Sequence, residues 1–136
     1  MGKYSHLQEE CFAANMELPR LNLVVYTFGN VSAVDRSAGV FAIKPSGVPY
    51  EQLRPEDIVI CDFEAKTVAG DKRASSDTKT HAYLYKSWDH IGGICHTHSV
   101  HATQFSQSGR ELPCHGTTHA DHFYGTVPVV RELTEA

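Results

Sequence analysis

No segment of this 136-residue chain approaches the ~20 consecutive apolar residues that a membrane-spanning helix needs. Lys and Arg are scattered and the formal net charge is −4, so neither a membrane nor a nucleic acid is indicated as a partner. Residues 1–10 are polar and of mixed charge, unlike a secretory signal. Internal repeats, low-complexity tracts and a linker-like stretch are all missing. Cysteine is sparse. Cys11, Cys61, Cys95 and Cys114 stand far apart with no Cys-x-x-Cys pair, the pattern of isolated reduced thiols in a cytoplasmic protein. The remaining composition, 41% apolar and 21% charged, is ordinary for one globular domain with a real core.

The pattern along the chain predicts a mixed α/β fold. Leu7, Cys11, Ala14 and Leu18 follow a helical spacing that Pro19 should end. Residues 23–28 read as a strand broken by Gly29-Asn30, with residues 31–34 extended beyond it. Strands are also expected over 40–43 and 58–63, the latter turned back at 64–66 into 67–69. Ser75-Ser76-Asp77 forms an N-cap cluster for a helix through Ala82, Leu84 and Tyr85. A further helix runs from Ser99 to Gly109. Early hairpins followed by helix–strand–helix imply a layered domain with a largely antiparallel sheet. Residues 131–136 look like a helix opening, an expectation that the chain is the N-terminal portion of something longer.

Residues 91–101, Ile-Gly-Gly-Ile-Cys-His-Thr-His-Ser-Val-His, carry the clearest chemistry. The apolar residues read as a buried strand, and on a strand residues two apart face the same side. His96 and His98 therefore point into one pocket, at a strand's C-terminal end, where α/β folds commonly place their sites. Imidazole is the usual side-chain ligand for zinc and its neighbours. A pair of partly exposed, hydrogen-bonded histidines is the plain alternative. Cys95 faces the other way and reads as core. A catalytic zinc site takes three protein ligands. His96 and His98 supply two, leaving His115, His119, His122, Asp77 or a residue beyond Ala136 for the third.

Three short segments recur at element ends: Gly29-Asn30, Ser46-Gly47 and Ser75-Ser76. Each alone is a turn or a cap. Together they suit a phosphorylated small molecule, because helix N-termini and free N–H groups favour anions and Lys44 adds a cation. Asp77 is either an N-cap or, near a metal, a ligand, a base or a partner to histidine. Residues 116–125 crowd His119, Asp121, His122 and two hydroxyls into a glycine-bounded, loop-like stretch, a candidate for catalysis. His81 and His101 fall on predicted helices and read as structural or exposed.

Five segments in order then become recognisable: Gly29-Asn30-Val31-Ser32, Lys44-Pro45-Ser46-Gly47-Val48, Ser75-Ser76-Asp77-Thr78, Gly92-Gly93-Ile94-Cys95-His96-Thr97-His98-Ser99 and Gly116-Thr117-Thr118-His119-Ala120-Asp121. With these the chain resembles the class II aldolase/adducin-like family from about Glu9 onward. The resemblance implies a layered α/β/α domain, truncated at its C-terminus, with residues 1–136 as the N-terminal portion of a single longer domain. It implies a divalent metal, typically Zn2+, held by His96 and His98 with Asp77 beside them. Asn30, Lys44, Ser46, Gly47, Ser75 and Ser76 match positions that hold the substrate and its phosphate. Asp121 matches the catalytic acid/base, and Thr117 lies in the same loop.

Aspartate at 77, where related aldolases carry glutamate, and the Thr-Thr-His-Ala-Asp loop point within the family to epimerisation of L-ribulose 5-phosphate to D-xylulose 5-phosphate. The C4 hydrogen of a 2-ketose is not acidic, so inversion is expected by retro-aldol cleavage of C3–C4, rotation of glycolaldehyde phosphate and re-addition. The metal would serve as a Lewis acid. The runner-up is an aldolase cleaving another sugar phosphate, such as L-fuculose 1-phosphate; a third reading is a non-catalytic adducin-like assembly module. The resemblance also implies a homotetramer, a phosphorylated pentulose as substrate, and a role in arabinose or ascorbate catabolism. Family members take a third metal histidine and a tyrosine acid/base from a C-terminal part that these residues do not include. Phe28 stands where tryptophan is common, His122 where tyrosine is, and Cys95 where a buried valine is usual.

Overall fold

A five-stranded antiparallel sheet with strand order β4-β3-β2-β1-β5 organises the first 98 residues. The computed structural model describes residues 2–132. The strands are β1 (Asn30–Asp35), β2 (Val40–Ile43), β3 (Val59–Asp62), β4 (Thr67–Ala69) and β5 (Gly93–His96). Period-2 alternation decides what each face packs against. Val40, Ala42, Ile58 and Ile60 join Cys11 of helix α1 (Ser5–Arg20) in one core. Phe41, Ile43, Val59 and Cys61 join Ala82 and Tyr85 of helix α2 (Thr78–Ser87) in the other. With both faces covered, β2 is buried at every residue, which is why Val-Phe-Ala-Ile is an unbroken apolar run. The expected α/β/α layering is present within Met1–His98, one of two compact units of the chain.

Two local expectations are corrected. Residues 23–28 are not a strand. The ladder begins only at Asn30, opposite His96 where β5 ends, and β2 already ends opposite Ser32, so the preceding residues have no strand to pair with. They form an irregular strap with positive φ at Tyr26, and at Asn22 just before it. Helix α1 also continues through Pro19 to Arg20, with Pro19 in its last turn and Arg20 paired to Glu17.

Asn15, a polar residue within the apolar stripe of α1, is fully buried. Its Nδ2 donates to the Val31 carbonyl at 2.9 Å and its Oδ1 accepts from the Val31 N–H at 2.8 Å. Val31 lies one residue beyond the last β1–β2 pair, Ser32–Ile43, so Asn15 stands in for the absent strand. This ties the start of β1, where the site begins, to α1.

The second unit, Ser99–Ala136, contains helix α3 (Val100–Gln107), ended by Gly109 at φ +65, and the short helix α4 (Thr117–His122). The stretch expected to be loop-like is thus partly helical. Leu112 and Val127 exchange backbone hydrogen bonds. Residues 133–136, part of the helix opening expected over 131–136, lie outside the described residues. Among the described residues no helix is long and apolar enough to cross a membrane.

Candidate functional site

Nine of the residues singled out from the sequence line a single cavity of about 400 Å³ in the first unit: Asn30, Lys44, Ser46, Gly47, Ser75, Ser76, Asp77, His96 and His98. Register accounts for much of this. The β1–β5 ladder sets Asn30 directly across from His96. Gly29 makes the approach possible: its φ is +75, and a Cβ there would lie 2.4 Å from Val24 Cγ1 and 2.9 Å from the His96 carbonyl. His96 closes β5 and His98 follows two residues on, with ring centroids 4.9 Å apart.

Asp77 is the N-cap residue of α2, yet its side chain makes no capping bond. Its Oδ2 instead accepts from His96 Nδ1 at 2.6 Å and from Asn30 Nδ2 at 2.7 Å. Burial raises the Asp77 carboxyl, but these two hydrogen bonds, with the His96 charge, outweigh it and hold the group below the ordinary carboxylate range. An ionised Asp77 makes Nδ1 the protonated nitrogen of His96 and leaves Nε2 for a metal, the usual carboxylate–histidine–metal arrangement. Asn30 is 3% exposed, and its Oδ1 has no hydrogen-bond partner among the described residues.

Behind this triad lies a second buried polar group that sequence reasoning missed. Asp77, His81 and Tyr85 are four residues apart, a stripe on one face of α2, and Ser32 is two residues from Asn30 on β1. Ser32 Oγ lies 2.7 Å from both His81 Nδ1 and Tyr85 Oη. Ser32 Oγ thus bridges the two side chains, giving its single proton to no more than one of them. Burial, with the neighbouring His96, pushes the His81 pKa down to about 4 against the pull of Asp77. The expectation that His81 is structural fits this burial; His101 is exposed. The four-residue spacing is the signal available in the sequence.

Lys44, expected as a cation near the phosphate, lines the cavity but is buried. It is 1% exposed, its Nζ donates to the Val48 carbonyl at 2.7 Å and the Thr27 carbonyl at 3.4 Å, and it lies 4.7 Å over the Tyr50 ring. Burial lowers its pKa. Tyr50 Oη donates to the Gly29 carbonyl at 2.9 Å, fixing the strap that delivers Asn30. Ser46 uses its amide on the Arg73 carbonyl, while Ser75 Oγ accepts from the Asp77 N–H, leaving both hydroxyl hydrogens available. Phe28 stacks on His98 at 5.3 Å, a contact that nothing in the sequence pattern indicates.

Three expectations fare differently. Cys95 is exposed rather than core, because β5 is an edge strand with a neighbour on only one side. Thr117 and Asp121, on α4 of the second unit, are both exposed. Among the described residues no cluster of three or more His, Cys, Asp or Glu side chains is arranged to hold a metal. The donor chemistry of the pair itself fits a divalent metal: two adjacent imidazoles, one backed by a carboxylate.

Solved structures bear on the same arrangement. The chain is 30% identical to an L-fuculose 1-phosphate aldolase over 83% of its own length and 55% of that protein's, with a TM-score of 0.77. It is 24% identical to the L-fuculose-1-phosphate aldolase of Thermus thermophilus, covering 94% of this chain and 64% of that one, with a TM-score of 0.75. The L-fuculose 1-phosphate aldolase of Glaciozyma antarctica shares 20% identity at a TM-score of 0.70, over 82% of this chain and 47% of its own. The chain thus spans between 47% and 64% of the length of these three structures. Residues 9–136 match the class II aldolase and adducin N-terminal domain, and the chain belongs to that family.

Proposed function

We propose that this chain carries the metal and substrate pocket of an epimerase interconverting L-ribulose 5-phosphate and D-xylulose 5-phosphate through C3–C4 cleavage and re-addition. One observation carries the choice: Oδ2 of Asp77 is engaged by both His96 and Asn30, so this carboxylate orients a ligand and the proton at the C4 hydroxyl falls to another group. His96 and His98 would hold the divalent metal, Zn2+ by family resemblance. When bound, the metal supplies Lewis-acid stabilisation of the negative charge that develops as C3–C4 opens.

The remaining work belongs to side chains. Ser46, Gly47, Ser75 and Ser76 form the polar wall for the phosphate, beside the positive end of α2. Lys44 adds its charge from behind that wall. The bare Oδ1 of Asn30 offers an acceptor to a substrate hydroxyl. Asp121, with Thr117 on the same helix, takes the proton of the C4 hydroxyl. The C3–C4 electron pair passes to C3, and C4 becomes an aldehyde. After the aldehyde turns and re-adds through its other face, the proton returns to the C4 oxygen. In this reading the chain is the N-terminal portion of one longer domain that assembles as a cytoplasmic homotetramer. Support for the compartment is the four free cysteines, and support for the longer domain is the partial coverage of each relative.

The 30% identity to an L-fuculose 1-phosphate aldolase favours a second reading, cleavage of such a sugar phosphate with release of the aldehyde. Zinc-loaded protein incubated with each sugar phosphate, with an aldehyde reductase as trap, separates the two. D-xylulose 5-phosphate without trapped aldehyde supports the epimerase. Stoichiometric trapped aldehyde supports the aldolase, and neither product supports an assembly module.

A further inference from the structure

We infer that Asn30 is a positioning residue for the metal pair, acting through Asp77, in addition to any contact with substrate. The inference rests on the metal reading of His96 and His98, but its first test does not. Asn30 stands opposite His96 in the β1–β5 register and is almost wholly buried. A carboxylate oxygen only accepts, so the amide nitrogen must be what faces Asp77, at 2.7 Å. His96 Nδ1 reaches that same oxygen at 2.6 Å. Asn30 also bonds Ser75 Oγ at 3.3 Å, which anchors its amide in the turn that precedes α2.

The need for such a clamp follows from where Asp77 sits. An aspartate at an N-cap ordinarily turns its carboxylate onto the free N–H groups of the first helical turn. Here that bond is absent and the carboxylate faces the sheet instead. Two converging donors hold it there, and one of them is the ring to be oriented. Without Asn30, the cap competes with His96 for Asp77, and the His96 ring loses the bond that fixes its tautomer. The second donor therefore keeps Nε2 directed at the metal position. Gly29 is part of the same device, because only its open backbone lets β1 enter this close to the His96 carbonyl.

The test uses 15N-imidazole spectra of the metal-free protein, followed by zinc titration. Wild type should show His96 as the Nδ1–H tautomer. Asn30→Leu keeps the volume without the donor; it should mix the two His96 tautomers, leave the His81 resonances in place, and weaken zinc about 10-fold. Asn30→Ala, the smaller change, should do the same if the leucine variant folds poorly. In an Asp77→Ala background, Asn30→Leu should cost no further zinc affinity. A His96 tautomer unchanged in both Asn30 variants, or losses that add in the double variant, would overturn the inference. A wild type that binds no zinc refutes the metal reading, while the tautomer result still decides Asn30.

Discussion

Phe28 lies flat against His98, ring centroids 5.3 Å apart and planes 20° apart, at the end of a strap that sequence patterning reads as a strand. The His98 amide donates to the Leu23 carbonyl of the same strap at 2.9 Å. His98 lies beyond β5, so the strap takes the place of the sheet in holding it. An aromatic pair of this kind contributes about 0.5–1.5 kcal/mol. Phe28→Leu should therefore weaken zinc binding by roughly 2- to 10-fold, while Phe28→Trp, which keeps the stack, should stay close to wild type. Calorimetric zinc titration of the two variants makes the comparison.

Gly29 and Gly47 both have positive φ, yet they should respond differently to alanine. At Gly47 a Cβ meets nothing within 4 Å, so Gly47→Ala should cost only the backbone strain, about 1–2 kcal/mol. At Gly29 the same Cβ also collides with Val24 and with the His96 carbonyl. Gly29→Ala should cost more than Gly47→Ala in urea unfolding and displace the His96 resonances, whereas Gly47→Ala leaves them in place.

His81 gives the fold a pH dependence with a definite sign. Its pKa falls from 6.5 when unfolded to about 4 when folded. Between those values the unfolded chain binds a proton that the native state refuses, so stability rises with pH across this window. The contribution is complete above pH ~6.5 and lost as pH falls toward ~4, on the order of 3 kcal/mol in all. Asp77, whose pKa is lowered, acts in the same direction but only below the ordinary carboxylate range. Urea unfolding at a series of pH values should show a slope between pH ~4 and ~6.5 that His81→Gln flattens.

The layers and most of the pocket are legible in the sequence because they depend on local pattern. The continuous apolar runs Val-Phe-Ala-Ile and Val-Ile-Cys show on the page, as does the two-residue spacing of His96 and His98. The strap is not legible, because whether residues 23–28 pair depends on where β2 and β5 end, a property of other segments. Lys44 is legible only in part: its position in the cavity wall is readable, but its burial under Tyr50 and its carbonyl partners are tertiary facts. Asn15 belongs to no motif, and Ser32 closes the Gly-Asn-Val-Ser segment without showing its role there. Their roles emerge only once Val31 is seen to lack a strand partner and α2 to cross β1 with His81 and Tyr85 facing inward. Asp77 reads correctly as an N-cap position, yet its side chain serves the histidine across from it.

The most direct measurement is epimerisation of L-ribulose 5-phosphate by the zinc-loaded protein in heavy water, with product examined by NMR and a chelator control. Cleavage and re-addition at C3–C4 should give D-xylulose 5-phosphate with no deuterium at C4, formed only when metal is present, because the C4–H bond is never broken. Deuterium at C4, turnover that survives the chelator, or release of aldehyde in place of the epimer would contradict it.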